Sequence, residues 1–335
     1  MKRFIITLFI INSFSLMYGQ EFKLSDSYVF KPQDKKIKLL ENSKNAKIIV
    51  FKTNMAINTD GTPLSYHPYD LRADSLALNF ITNAVAIYRL SDSRCISIPK
   101  KDLSEYPKKY RVKVKFDPSK ITDKEKKEYT KLAYKVFEEW RDAGFPEKQI
   151  DGYEIIWQNV LVNKNGKPCI FEENKQFKGY FASMTAEDNG IKNDISECSF
   201  ANQLDPFIIP SIVLNNGIKY GASKGDLVVA YNPVTKIIVY GIVGDKGPGN
   251  NLGEGSILLN MKLKGITEIP KGKNAVKTLA ISENIMIGII PKSKEFKLLR
   301  PYTETSITDR VKQWFNMQGY SNQDGIIKLL TDNCK

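Results

Sequence analysis

Histidine is almost missing: His67 is the only one in 335 residues. That excludes His-rich metal sites and a Cys-His nucleophile with a histidine to spare. Cysteine is sparse as well. Cys95, Cys169, Cys198 and Cys334 stand too far apart for a CxxC metal or redox motif. Beyond the first twenty residues no stretch reaches the roughly 18 apolar residues of a spanning helix. Internal repeats and low-complexity tracts are missing. So are a basic-aromatic motif and a recognition helix, which argues against a nucleic-acid partner. No cofactor and no metal are indicated.

The N-terminus is distinctive. Lys2 and Arg3 precede an uncharged run from Phe4 to Tyr18, which ends near Gly19-Gln20. A positive start, an apolar centre and a small-residue exit describe a cleaved signal peptide over residues 1–19. A retained anchor is the alternative. No cysteine follows closely enough for a lipoprotein anchor. The mature chain is then expected to be secreted or periplasmic, without a membrane anchor. About 315 residues remain, enough for one large domain or two modest ones. Four cysteines suit an oxidising compartment, and Cys169–Cys198 is the favoured pairing because both flank Gly179–Thr185.

Charge is uneven. The whole chain carries +13, and +11 without Lys2 and Arg3. Residues 21–150 contribute +8, residues 151–265 contribute −1 and residues 266–335 contribute +4. A basic body suits solubility or contact with anionic envelope polymers, and it repels a polycation at long range.

Most of the chain reads as short strands rich in Val, Ile, Tyr and Phe between turns. The expected strands are Ala46–Lys52, Val85–Leu90, Tyr110–Phe116, Glu154–Val162, Gly179–Met184, Phe207–Leu214, Gly225–Tyr231, Lys236–Val243, Ser256–Met261, Ala275–Ile281 and Ile285–Ile290. The turn Tyr231–Thr235 makes Asp226–Val243 a hairpin. Asp74–Asn83 is expected to be a short helix. Thr122–Ala143 is the clearest one, with a Thr122/Glu125 capping box, an apolar stripe through Trp140, and Gly144 and Pro146 as stops. It is expected to pack on the β core. Ser306–Met317 is a further helix, with Val311, Trp314 and Phe315 inward.

The most informative stretch is Val239–Leu259, VYGIVGDKGPGNNLGEGSILL. An apolar run stops at Gly244-Asp245. A loop rich in glycine follows, and the chain re-enters an apolar run through Gly253-Glu254-Gly255-Ser256. One carboxylate sits where a strand ends and another where the next begins. Glycines around both let a ligand approach the backbone. Two carboxylates across a cleft are what glycoside hydrolysis requires, although Gly-Asp and Gly-Glu also build ordinary hairpin loops.

GDKGPGNNLGEGS resembles the signature of the fungal-type chitosanases, glycoside hydrolase family 75. In order along the chain, Met55–Pro68 (MAINTDGTPLSYHP), Gly179–Thr185 (GYFASMT), Asp205–Leu214 (DPFIIPSIVL) and Gly225–Pro233 (GDLVVAYNP) are similar to further segments of that family. Residues 89–150 and most of the chain past Leu263 have no counterpart. The resemblance implies a mainly β domain, a closed six-stranded barrel of the double-psi kind with helical insertions. It divides the mature chain into residues 20–88, an inserted helical and charged segment 89–150, a barrel core 151–290 with the catalytic loop, and a helical tail 291–335.

It also implies an endo-acting, inverting hydrolase of β-1,4-linked amino-sugar polysaccharide. Asp245 and Glu254 would be its catalytic pair, with carboxyls roughly 6.5–9.5 Å apart rather than 5–5.5 Å. The neighbouring Lys246 would keep Asp245 ionised as the base. Desolvation beside an apolar strand would raise Glu254 as the acid. Asp60, Tyr66, His67, Tyr180, Thr185, Asp226, Lys246 and Asn250 are the candidate substrate-binding residues. Five of them have a plainer reading: an Asp-Gly turn at Asp60, a turn at Asp226, core packing for Tyr66 and Tyr180, and a structural role for His67. Ser183 and Thr185 alternate with apolar residues and are expected to face the cleft. A polysaccharide-binding or wall-loosening barrel without catalysis is the alternative function.

Overall fold

The computed structural model describes residues 21–98, 106–147, 150–172, 176–191, 198–247 and 251–334. The expected signal peptide and Asn250 lie outside them. Eight strands form the main sheet: β1 Lys23–Phe30, β2 Lys35–Glu41, β3 Lys47–Asn58, β4 Ser211–Asn215, β5 Leu227–Asn232, β6 Ile237–Gly247, β7 Glu254–Ser256 and β8 Ile281–Ile290. Six of them close a barrel in the order β3-β7-β4-β6-β5-β8, because β8 pairs back onto β3. The pairs β3/β7 and β4/β6 are parallel, while the other four are antiparallel. The closed six-stranded barrel is therefore present. β1 and β2 form a hairpin that extends the sheet from β3.

Alternation along the strands builds two cores. Ile49, Phe51, Ile212, Leu214, Val228, Ala230, Val239, Val243, Ile287 and Ile289 come from five strands and fill the barrel. Their neighbours Ile48, Val50, Leu227, Val229, Tyr240 and Ile242 face outward, under the two C-terminal helices. The four longest helices are α1 Asp123–Asp142, α2 Ile257–Leu263, α3 Glu304–Met317 and α4 Gln323–Asn333. Val311 and Phe315 of α3 and Leu329 and Leu330 of α4 are buried on the barrel, so residues 291–335 complete its outer core.

A satellite core lies beside the barrel. It gathers Tyr66, Ile81, Ile87, Val136, Phe137, Trp140, Trp157 and Phe181. The small sheet Ala86–Arg89, Arg94–Cys95 and Tyr153–Ile156 backs it. Helix α1 carries its capping box, but it packs on this satellite core and not on the barrel. Cys169 and Cys198 are joined by a disulfide, and Cys95 and Cys334 are buried free thiols. Among the described residues no helix is long and apolar enough to cross a membrane.

Several expected elements differ. Lys108–Arg111 is a helical turn that overlaps the start of the segment expected as strand Tyr110–Phe116. Ile257–Leu263 and Gly272–Lys277 are helices where strands are expected. In the first, Ser256 caps the helix by accepting from the Leu259 N–H, and that local bond outweighs β propensity. Asp74–Asn83 is an irregular loop with a single helical turn at Ile81–Ala84, because Asp70 takes four of its backbone N–H groups. Gly179–Met184 makes only isolated bridges, through Phe181 and Ser183. The polar, alternating β1 and β2 and the short α4 carry too little pattern to be expected.

Candidate active site

Asp245 and Glu254 stand on the two strands that flank β4. Asp245 pairs with Val213, and Gly255 pairs with Ile212, which sets Glu254 level with Val213 on the other side. Two strand spacings separate them, so their Cα atoms are at most about 10 Å apart. Both face out of the barrel, as Val213 does. The bulge at Gly244 makes this possible for Asp245, since the extra residue shifts the register between Val243 and Asp245. Without it the carboxylate would turn into the barrel. Glu254 is set by Gly253, whose φ of +82° and contact with the Asn54 carbonyl, 1.9 Å from where a Cβ would lie, admit only glycine.

Asp245 is well held. Its Oδ1 accepts from the Ala186 N–H at 3.0 Å and the Lys246 N–H at 2.8 Å, and the Asn58 amide approaches Oδ2 at 3.4 Å. Burial nevertheless pushes its pKa above the ordinary carboxylate range. The expectation that the Lys246 ammonium keeps Asp245 ionised is corrected here. The Lys246 side chain is exposed, and its backbone N–H is what favours the anion. Among the described residues no side-chain hydrogen bond reaches the Glu254 carboxylate. Burial, followed by the charge of Asp245, raises it to about 7.

Asp60 is the third carboxylate. Its Oδ1 accepts from the Tyr66 hydroxyl at 2.7 Å, and its N–H donates to Asn58 Oδ1 at 2.9 Å. Burial first, then the charges of Asp245 and Glu254, push it up to about 8. The Asp-Gly turn is real: Gly61 has a φ of +97° and donates its N–H to Ser183 Oγ. The turn reading of Asp60 therefore holds, and its raised pKa biases the carboxyl toward the protonated form.

The remaining candidates separate. Tyr66 is buried in the satellite core, so it orients Asp60 and offers no face to a sugar. His67 and Tyr180 are half-buried and meet edge to face at 4.8 Å. The Tyr180 hydroxyl donates to the Leu76 carbonyl, and burial lowers the pKa of His67. Thr185 is buried, not cleft-facing: its hydroxyl donates to the Glu187 carbonyl and accepts from the Leu204 N–H. Ser183 is likewise buried and braces the Gly61 turn. Asp226 is wholly buried, and its carboxylate accepts N–H bonds from Ser223, Lys292, Ser293 and Lys294. It is a loop organiser, the turn reading of that residue.

Sequence reasoning missed Asn58, Ala186, Lys224 and Glu187. Lys224 Nζ donates to the Ala186 carbonyl at 2.6 Å, which fixes the peptide whose N–H reaches Asp245. Glu187 binds its N–H to the Gly244 carbonyl, and its carboxylate takes Lys294, Arg300 and Tyr302. None of these has a local signal, because each acts from a distant part of the chain. Among the described residues no group of three His, Cys, Asp or Glu is close enough to hold a metal ion. Chemically, the site offers three neighbouring carboxyl groups biased toward protonation. No protein-family model matches the chain, and none of the curated proteins compared with it matches either.

Proposed function

We propose that the protein is an exported, endo-acting glycoside hydrolase, chitosanase-like, that cleaves amino-sugar polysaccharide by inversion. One observation carries the reading: Asp245 and Glu254 flank Val213 at the same level on the outer face of a closed barrel. A Cα separation of at most about 10 Å suits two carboxyls with a water between them. Glu254, lifted to about 7 by burial and by Asp245, supplies the proton to the leaving oxygen. Asp245, gripped by two backbone N–H groups, draws the proton from the attacking water. The new C–O bond forms on the face opposite the departing one. Asp60 supplies the carboxylate for a substrate amine. The disulfide agrees with an oxidising, extracytoplasmic compartment.

The purified mature protein should release oligosaccharides from chitosan rather than from chitin or peptidoglycan, with the inverted anomer first by NMR. Asp245→Asn and Glu254→Gln should each lower the rate by about 10²–10⁴-fold without loss of folding. An activated aryl glycoside should partly rescue Glu254→Gln, and azide should partly rescue Asp245→Asn. Polysaccharide binding without any released product would instead support the non-catalytic barrel. Wild-type turnover in either variant would remove that residue from the mechanism.

A further inference from the structure

A second concavity lies outside the carboxylate groove. The outward face of α1 presents Lys131, Tyr134, Lys135 and Glu138, at the spacing that puts them side by side on a helix. Opposite runs the loop Tyr69–Asp74. Between them is a cavity of about 400 Å³, within the usual size of a small-ligand site. The loop wall is rigid: the Asp70 carboxylate accepts from the N–H groups of Asp74, Ser75, Leu76 and Ala77.

Two tyrosines line the cavity, and each has a guanidinium on one face. The Arg141 guanidinium carbon lies 4.5 Å from the Tyr69 ring centre, and that of Arg72 lies 5.3 Å from the Tyr134 ring centre. Arg141 is itself tied to the Pro68 carbonyl at 3.0 Å, so Tyr69 is pinned from one side. The residue is still 72% exposed, so the side of Tyr69 away from Arg141 faces solvent. A pinned, open tyrosine carries apolar area at little entropic cost, as a sugar-stacking ring does. Charge decides what kind of ring fits. Arg72, Lys131 and Lys135 are balanced by Asp70, Asp74 and Glu138, so the cavity has no net field. With equal numbers of acidic and basic side chains, the cavity offers a free ammonium no net attraction to offset its lost hydration. Hydroxyl and acylamido groups meet both donors and acceptors.

We propose that this cavity is a second glycan-binding site, which holds uncharged pyranose rings against Tyr69 between the Tyr69–Asp74 loop and helix α1. The inference rests on the proposed function only for glycan as the ligand class. One wall, α1, belongs to the stretch that has no counterpart in the chitosanase resemblance. His67, two residues before Tyr69, meets the rings of both Tyr69 and Tyr180, and its neighbour Tyr66 donates its hydroxyl to Asp60.

The test is calorimetric titration of the full mature chain carrying Asp245→Asn, so that no ligand is consumed. N-acetylated chitooligosaccharide should bind more tightly than its fully deacetylated counterpart at the cavity. Tyr69→Ala should weaken the neutral ligand about tenfold, and Tyr69→Phe should restore it. Tyr134→Ala, checked for an unchanged melting temperature, should weaken it as well. Binding by both alanine variants equal to that of the parent, no binding of the neutral ligand, or preference for the deacetylated ligand at this cavity would overturn the inference. Tyr69-dependent binding by a chain that never hydrolyses anything would leave it standing while the enzymatic reading fell.

Discussion

Asp60 shows how a functional group can oppose the fold that holds it. Its carboxyl is raised to about 8 and that of Glu254 to about 7. The unfolded chain releases both protons near pH 4. Between those values the folded state holds protons that the unfolded state has lost, so stability falls as pH rises from about 4 through about 8 and levels off above. Asp60→Asn keeps the oxygen that accepts from Tyr66 and removes the charge. Thermal melts should show the variant more stable than the parent at pH 9 and equal to it at pH 4. A variant less stable at pH 9 would mean that Asp60 serves the fold as an anion. Asp60 was visible in the sequence as an Asp-Gly pair. Its protonation was not, because that depends on two carboxylates that arrive from residues 245 and 254.

Single backbone devices at strand ends decide where the carboxylates point. Gly253 allows the chain to turn into β7 against the Asn54 carbonyl, and the Gly244 bulge turns Asp245 outward. Alanine at 253 would place a Cβ 1.9 Å from that carbonyl oxygen in a left-handed conformation. Gly253→Ala should cost about 2–4 kcal/mol in denaturant unfolding and should displace Glu254, so that activity falls further than stability predicts. An unchanged unfolding midpoint would show that β7 tolerates a shift. The glycines around both carboxylates were legible in the sequence as a place of close approach. Which contact each glycine relieves was not, since Asn54 and Ser211 lie far along the chain. The helix at Ile257–Leu263 makes the same point: its apolar run has the composition of a strand, and the Ser256 cap settles it.

The C-terminal segment links the barrel to the site. Glu187 is fully buried, and it is bound by Lys294, Arg300 and Tyr302 from beyond β8 while its N–H holds the Gly244 carbonyl. The neighbouring Ala186 N–H holds Asp245. Residues 291–302 therefore brace the peptide whose N–H holds Asp245. Removing one partner of a buried ion pair typically costs about 3–5 kcal/mol when the remaining charge stays buried, and the partial exposure of Lys294 and Arg300 puts the loss here toward the lower end. Glu187→Ala should lose stability on that scale by chemical unfolding. Lys294→Met, which leaves Arg300 and Tyr302 in place, should lose clearly less. Equal, small losses in both would mean that water replaces the carboxylate. This network also explains why the segment past Leu263, which matches nothing in the resemblance, still bears on the site.

The sequence by itself determined the elements whose information is local. The capping box of α1, the apolar stripes of α1 and α3 and the β5–β6 hairpin all lie in short windows of residue pattern. Tertiary structure alone decided the barrel closure through β3 and β8, the satellite core that takes α1, and the burial that lifts three carboxyls above their ordinary range. It alone buried Asp226 and Thr185 and brought Ala186, Lys224 and Glu187 to the groove. The reason is range. Hydrogen-bond caps and side-chain periodicity act over a few residues. Desolvation and charge coupling depend on which distant segments exclude water from the same small volume.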